Sequence, residues 1–129
     1  MSATPALFQN VASDPLKFWS GQELNLKKVR EFARLSNKDL SQMAGVTTVR
    51  LDDKAPEQII EHMQNIANIC NLVFEYYKDP VKTKLWLQTP NPLLGNTTPK
   101  EMLRVGRYKK LFTYVTDALK EGAVAHVAR

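Results

Sequence analysis

Between Pro56 and Lys78 apolar residues recur at alternating steps of four and three: Ile59, Met63, Ile66, Cys70, Val73 and Tyr77. That spacing keeps one face of an α-helix apolar over about three heptads. A second row, Ile60, Ala67 and Phe74, with Ile69, Leu72 and Tyr76 beside it, widens the face beyond what a helix lying on a surface needs. The helix is therefore expected at the centre of the fold. Pro56 pre-sets its first turn. Asp79-Pro80 ends it and opens another, because Asp79 can cap and proline suits the first helical position; a short helix is expected over residues 82–88.

Helix signals continue on both sides, and convincing strand alternation is absent. Leu26, Val29, Phe32 and Ala33 are spaced for a helix capped by Asn25. Ser36 or Asn37 can cap a second one through Leu40, Met43 and Ala44, stopped by Gly45. Thr89-Pro90-Asn91-Pro92 cannot be helical, since two prolines remove donors and push their predecessors to extended geometry. Thr98-Pro99-Lys100-Glu101 reads as a capping box opening a helix through Met102, Leu103 and Val105. Tyr108, Leu111, Phe112, Val115 and Leu119 continue a helical face until Gly122, and Gly106 breaks or bends the pair. Before residue 25, Pro5, Pro15, Gly21 and scattered aromatics imply an arm with one short helix from Asp14. The expected class is all-α, divided into an arm (1–24), a helix-turn-helix-like region with the long helix (25–79) and a small C-terminal binding domain (80–129).

Composition and charge narrow the function. Hydrophobic residues make up 43% and charged residues 24% of the 129, which excludes a disordered or collagen-like chain. No apolar run is long enough to span a membrane, the Met1-Ser2-Ala3-Thr4-Pro5 start lacks signal-peptide character, and Cys70 stands alone. A cytoplasmic protein without a membrane role is the expectation. The net charge of +5 is unevenly spread, with +2 in residues 1–35, −3 in 36–80 and +6 in 81–129. Any electrostatic partner is therefore met by the ends, mainly the last third. Catalysis finds no support: His62 and His126 lack partners at triad or metal spacing, and Asp52-Asp53 with Glu57 and Glu61 is a solvated helix start. Cys70 lies on the apolar stripe, and the five glycines form no phosphate loop. No enzyme activity, cofactor or metal is expected.

Asn37 to Leu51 has the spacing of a helix-turn-helix, with Gly45 at the corner and a fresh cap at Thr47. Thr47, Thr48 and Arg50 would then begin a second helix and reach base edges or phosphates of operator DNA, although Asp52 and Asp53 would repel phosphates.

Trp86-Leu87-Gln88-Thr89-Pro90-Asn91-Pro92-Leu93-Leu94-Gly95, followed by Thr98-Pro99-Lys100-Glu101-Met102-Leu103 and Gly106-Arg107, resembles the toxin-binding domain of the Xre/MbcA/ParS-like antitoxins. The resemblance spans roughly residues 82–119, and residues 37–78 are similar to the Xre-type helix-turn-helix and long helix that precede that domain. It implies a bacterial antitoxin that partners a RES-type, NAD-degrading toxin and represses its own operon. Residue by residue, Trp86, Asn91, Pro92, Leu94, Gly95 and Pro99 match the signature, with Trp86, Leu94 and Pro99 expected to build the domain. Arg104, Gly106, Arg107, Tyr108 and Lys109 sit in the helix pair that would face the toxin, and Arg104, Arg107, Lys109 and Lys110 form the positive surface expected to dock beside its substrate cleft. The wide stripe of the long helix also implies a homodimer, through that helix or through the aromatic N-terminal arm. The competing expectation is a stand-alone helix-turn-helix regulator without a toxin.

Overall fold

The computed structural model describes residues 14–52 and 54–121. Six α-helices are present among them: α1 (Leu26–Ala33), α2 (Asn37–Ala44), α3 (Glu57–Tyr77), α4 (Pro80–Gln88), α5 (Pro99–Arg104) and α6 (Tyr108–Glu121). A two-stranded antiparallel hairpin, β1 (Trp19–Ser20) and β2 (Glu23–Leu24), precedes them, with Trp19 opposite Leu24. The chain is thus mostly helical, as expected. The hairpin is an addition that strands of two residues could not announce by alternation.

The long helix is more deeply enclosed than an amphipathic stripe predicts. Every residue from Met63 to Asn71 is buried, including Gln64, Asn65, Asn68 and Asn71 on what a helical wheel draws as the polar side. Helices α1, α2, α4, α5 and α6 all pack on α3. Its Ile59, Met63, Ile66, Ile69, Cys70 and Val73 are fully excluded from solvent, and each large apolar side chain so buried contributes about 1.5–3 kcal/mol. The width of the stripe is accordingly taken up by this chain's own elements and requires no second copy. The Cys70 thiol is pushed well above its ordinary pKa by that burial, which keeps it protonated and inert.

One strap closes the remaining side. The Asn71 carboxamide accepts from the Leu16 backbone N–H at 3.1 Å and donates to Asp14 Oδ1 at 3.0 Å. Asp14 in turn accepts from the N–H groups of Phe18 (2.9 Å) and Trp19 (2.8 Å), which seats Phe18 edge-on against Phe32. These bonds replace the helix expected from Asp14. The carboxylate gathers its amides through a turn, with Lys17 in the left-handed region at φ 60°. Pro5 and Phe8 lie outside the described residues, as do His126 and Arg129.

The helix ends follow local chemistry. Asn25 Oδ1 accepts from Lys28 N–H, and Ser36 forms a reciprocal capping box with Asp39. Asp79 Oδ1 accepts from Val81 N–H, so α4 opens at Pro80. Thr98 Oγ1 accepts from Glu101 N–H, but the return bond of the expected box is not made, because the Glu101 carboxylate is taken by Arg104. Gly45 closes α2 at φ 70°.

The recognition helix expected at Thr47 or Thr48 is not formed. No helix runs between Ala44 and Glu57 among the described residues. Four consecutive β-branched residues, Val46 to Val49, disfavour a helix too short to sustain itself. The Ser41 hydroxyl also donates to the Thr47 carbonyl at 2.9 Å, engaging a group that would open the helix. Thr47 and Thr48 are exposed on this loop, and Arg50 is paired with Asp52.

A single cluster runs from Phe18 through α3 to Trp86, Leu103 and Val115. Gln88 Nε2 donates to the Ala33 carbonyl at 3.1 Å, and Lys84 lies over the Phe32 ring at 5.2 Å.

Removing the strap's carboxylate tests its weight. Asp14→Ala deletes three acceptor contacts and is expected to lower stability by about 2–4 kcal/mol, read as a lower urea midpoint at unchanged slope. An unchanged midpoint would show that the strap is passive.

Candidate partner-docking site

The Asn91 to Thr97 loop is built around one side chain. Asn91 is buried; its Oδ1 accepts from Leu93 N–H at 2.9 Å, and its carbonyl accepts from Leu94 and Asn96 N–H. Its own N–H donates to the Thr97 carbonyl at 3.0 Å, so the loop closes as an isolated bridge. Pro92–Leu94 forms a single 3₁₀ turn ended by Gly95 at φ 78°. A turn this tight sends two adjacent leucines to opposite sides. Leu94 is buried, whereas Leu93 is 67% exposed.

A second corner joins α5 to α6. Gly106 N–H donates to the Leu103 carbonyl and Arg107 N–H to the Met102 carbonyl, the bond pair of a Schellman cap, with Gly106 at φ 82°. Val105, just before this glycine, is left 50% exposed. The start of α6 is held by Tyr108, whose ring meets His62 of α3 edge-on at 5.4 Å. Burial lowers the His62 pKa against the opposing influence of the Met43 carbonyl and Glu61, which keeps this ring contact neutral.

Between the two corners lies a cleft of about 390 Å³. Leu94 and Met102 form its apolar floor, Leu93 and Val105 its exposed flanks, and Gly95, Thr97, Glu101, Arg107 and Lys110 complete it. The first turn of α6 contains no acidic residue. It carries Lys109 and Lys110, preceded by Arg107, where the helix dipole already places positive charge. None of the three makes an ion pair among the described residues. This is an unfavourable arrangement for the isolated chain and a favourable one for meeting an acidic surface.

The expected site residues separate into two groups. Trp86, Asn91, Leu94 and Pro99 are buried and build the domain. Pro92, Gly95, Gly106, Arg107 and Lys109 are exposed, with Tyr108 half-buried. Arg104 differs from the others. It donates to Glu101 and to Gln42 of α2, so it fastens α5 to α2 instead of standing free. Lys100 adds to that seam through the Arg34 carbonyl at 2.6 Å and Asp39 at 3.6 Å. Leu93 and Val105 are members of the cleft that were not singled out from the sequence, whereas Lys110 belongs to the positive surface expected there. The sequence signal of Leu93 and Val105 is position alone, beside Pro92 and beside Gly106.

Comparison with known protein families, with curated proteins and with solved structures gave no match.

Two measurements check this geometry. A Cβ on Gly106 would meet no atom within 4 Å, so Gly106→Ala costs only the left-handed backbone, about 1–2 kcal/mol by chemical denaturation. The seam is acid-sensitive. Burial pushes the Asp39 carboxyl up, but the Ser36 amide and hydroxyl with Lys100 and Arg104 outweigh it and hold it below the ordinary value. The Arg104 hydrogen bond lowers Glu101 against a smaller effect of burial. Carboxylates depressed on folding lend stability above their unfolded pKa, roughly 4, and lose it as pH falls through the folded value. Stability should therefore fall as pH drops below about 4, and less steeply in Asp39→Asn, which is already weaker at neutral pH. Parallel curves would contradict the assignment.

Proposed function

We propose that the chain is a cytoplasmic antitoxin that binds a RES-type, NAD-degrading toxin through its C-terminal residues and covers the toxin's substrate cleft. The observation that carries this reading is the cleft at the α5–α6 corner, where exposed Leu93 and Val105 lie beside two cations, Arg107 and Lys110, that make no ion pair among the described residues. The resemblance of the Trp86 to Arg107 motif to the Xre/MbcA/ParS-like antitoxins supports the same reading, and its buried members would be conformational determinants of the cleft.

Affinity and recognition divide along the same residues. Leu93 and Val105 are the apolar anchors, since truncation-sensitive energy at interfaces concentrates in a few desolvated side chains. Arg107, Lys109 and Lys110 steer association toward the acidic partner and compete for its rim. A toxin site that receives the anionic pyrophosphate of NAD is then shut by contact, and no chemistry is required of the antitoxin. Autorepression through the Thr47, Thr48 and Arg50 loop, and a homodimer through the N-terminal arm and not through the enclosed α3, complete the proposal. The helical corner at Gly45 supports the competing stand-alone DNA-binding regulator, in which Arg50 would first have to leave Asp52.

Co-expression with the product of the adjacent open reading frame, purification through one tag and an assay of NAD consumption test the proposal. A stable complex is expected, with a partner that consumes NAD only when released. Leu93→Asp with Val105→Asp should weaken the complex at least about tenfold through loss of apolar contact. Arg107→Glu with Lys110→Glu should slow association, most at low salt. Absence of any complex, together with salt-dependent operator binding weakened by Arg50→Ala, would establish the solitary regulator instead.

A further inference from the structure

We propose that the outer face of α4 is a docking surface for an amphipathic helix of a partner protein, apolar along one stripe and acidic on both sides of it. Helix α4 is apolar on opposite faces. Its inner face buries Thr83, Trp86 and Leu87, whereas Val81 and Leu85 are 69% and 64% exposed. A helix that is apolar all round is normally covered all round, and the described residues cover this one on the inner side. Val81 and Leu85 stand one turn apart, so they form a single ridge with the spacing by which helices interlock.

The charge beside this ridge selects the occupant. At about 3.6 residues per turn, Lys82 falls about 60° beyond Leu85, and Lys84 about 60° beyond Val81 on the opposite side. Both are exposed, and neither makes an ion pair among the described residues. Lys84 lies over the Phe32 ring, which steadies its charge at one edge of the ridge. Helix α4 contains no carboxylate of its own. Asp79 before it is committed to the Val81 and Lys82 amides, and Glu75 bonds Lys78. An apolar seam with lysines on both flanks is the pattern that, in paired helices, meets glutamates of the opposing helix. A second copy of this chain is disfavoured on this face, because pairing α4 with itself sets these lysines against one another. None of these residues lines the corner cleft, so the two surfaces stand or fall separately.

Two synthetic helices of equal length, each with one leucine stripe, make the matched probes: glutamates flank the stripe in one and lysines in the other. Titrated into the ¹⁵N-labelled full chain, the glutamate helix should give saturable shifts centred on residues 80–88. The lysine helix should bind at least about tenfold more weakly. Leu85→Asp, a change at a solvent-facing position, should abolish binding to the folded chain, and Lys82→Glu with Lys84→Glu should reverse the preference between the probes. Arg107→Glu with Lys110→Glu, which reverses charge at the corner, should leave the shifts at residues 80–88 in place. Shifts that do not saturate, shifts centred on residues 91–97 and 104–112, equal affinities for the two probes, or binding that survives Leu85→Asp would each overturn the proposal. So would shifts at residues 80–88 that follow the chain's own concentration, marking a second copy, or that arise with phosphatidylserine vesicles and not with the glutamate helix, marking a lipid surface. Should Leu85→Asp not fold, the charge reversal at Lys82 and Lys84 decides by itself.

Discussion

Desolvation of α3 around its whole circumference is the constraint from which the rest of the structure follows. A helix buried on one side needs one neighbour, but a helix buried from Met63 to Asn71 without interruption needs a shell. The chain supplies it with five shorter helices and the Asp14 strap. Each short helix is too brief to persist alone, so its stability comes from the face it lays on α3. The shell also explains why the N-terminal and C-terminal parts share one core: neither part covers the central helix by itself.

That scaffold sets the position of the α5–α6 corner. Asn91 folds its loop by occupying four backbone groups, Gly106 turns the chain through a left-handed cap, and Tyr108 rests on His62 of the central helix. Between these fixed points the backbone that carries the exposed side chains is held in place. Leu93, Val105, Arg107 and Lys110 are thus presented by a rigid frame, which lowers the ordering cost of binding. The accumulation of positive charge at the start of α6 runs against what helix stability alone favours. Local conflicts of this kind mark sites where function outweighs folding.

Much of the fold was legible because its signals are local. The spacing from Ile59 to Tyr77, the caps at Asn25, Ser36, Asp79 and Thr98, and the stops at Gly45 and Gly106 each act within a few residues. What the sequence did not disclose depends on distance in the chain. Asn71 looks like a solvated position on a helical wheel until Leu16 and Asp14, more than fifty residues away, are placed on it. The helix expected after Thr47 failed for a related reason: the spacing of a helix-turn-helix was present, but four β-branched residues and the Ser41 hydroxyl favoured a non-helical path. At the candidate site, motif residues such as Trp86 and Pro99 identified the loop, while the turn geometry decided which of its side chains are exposed. Leu93 and Leu94 cannot be told apart by composition or neighbours, and a single 3₁₀ turn assigns one to the core and the other to solvent.

The central claim is that this frame presents the α5–α6 corner to a protein partner. Amide hydrogen exchange on the complex with the product of the adjacent reading frame, compared with the free chain, tests it most directly. The account predicts new protection concentrated in residues 91–97 and 104–112, with α3 unchanged because it is already enclosed. Protection confined to the 46–52 loop, or to the outer face of α4, with the corner exchanging as in the free chain, would contradict it.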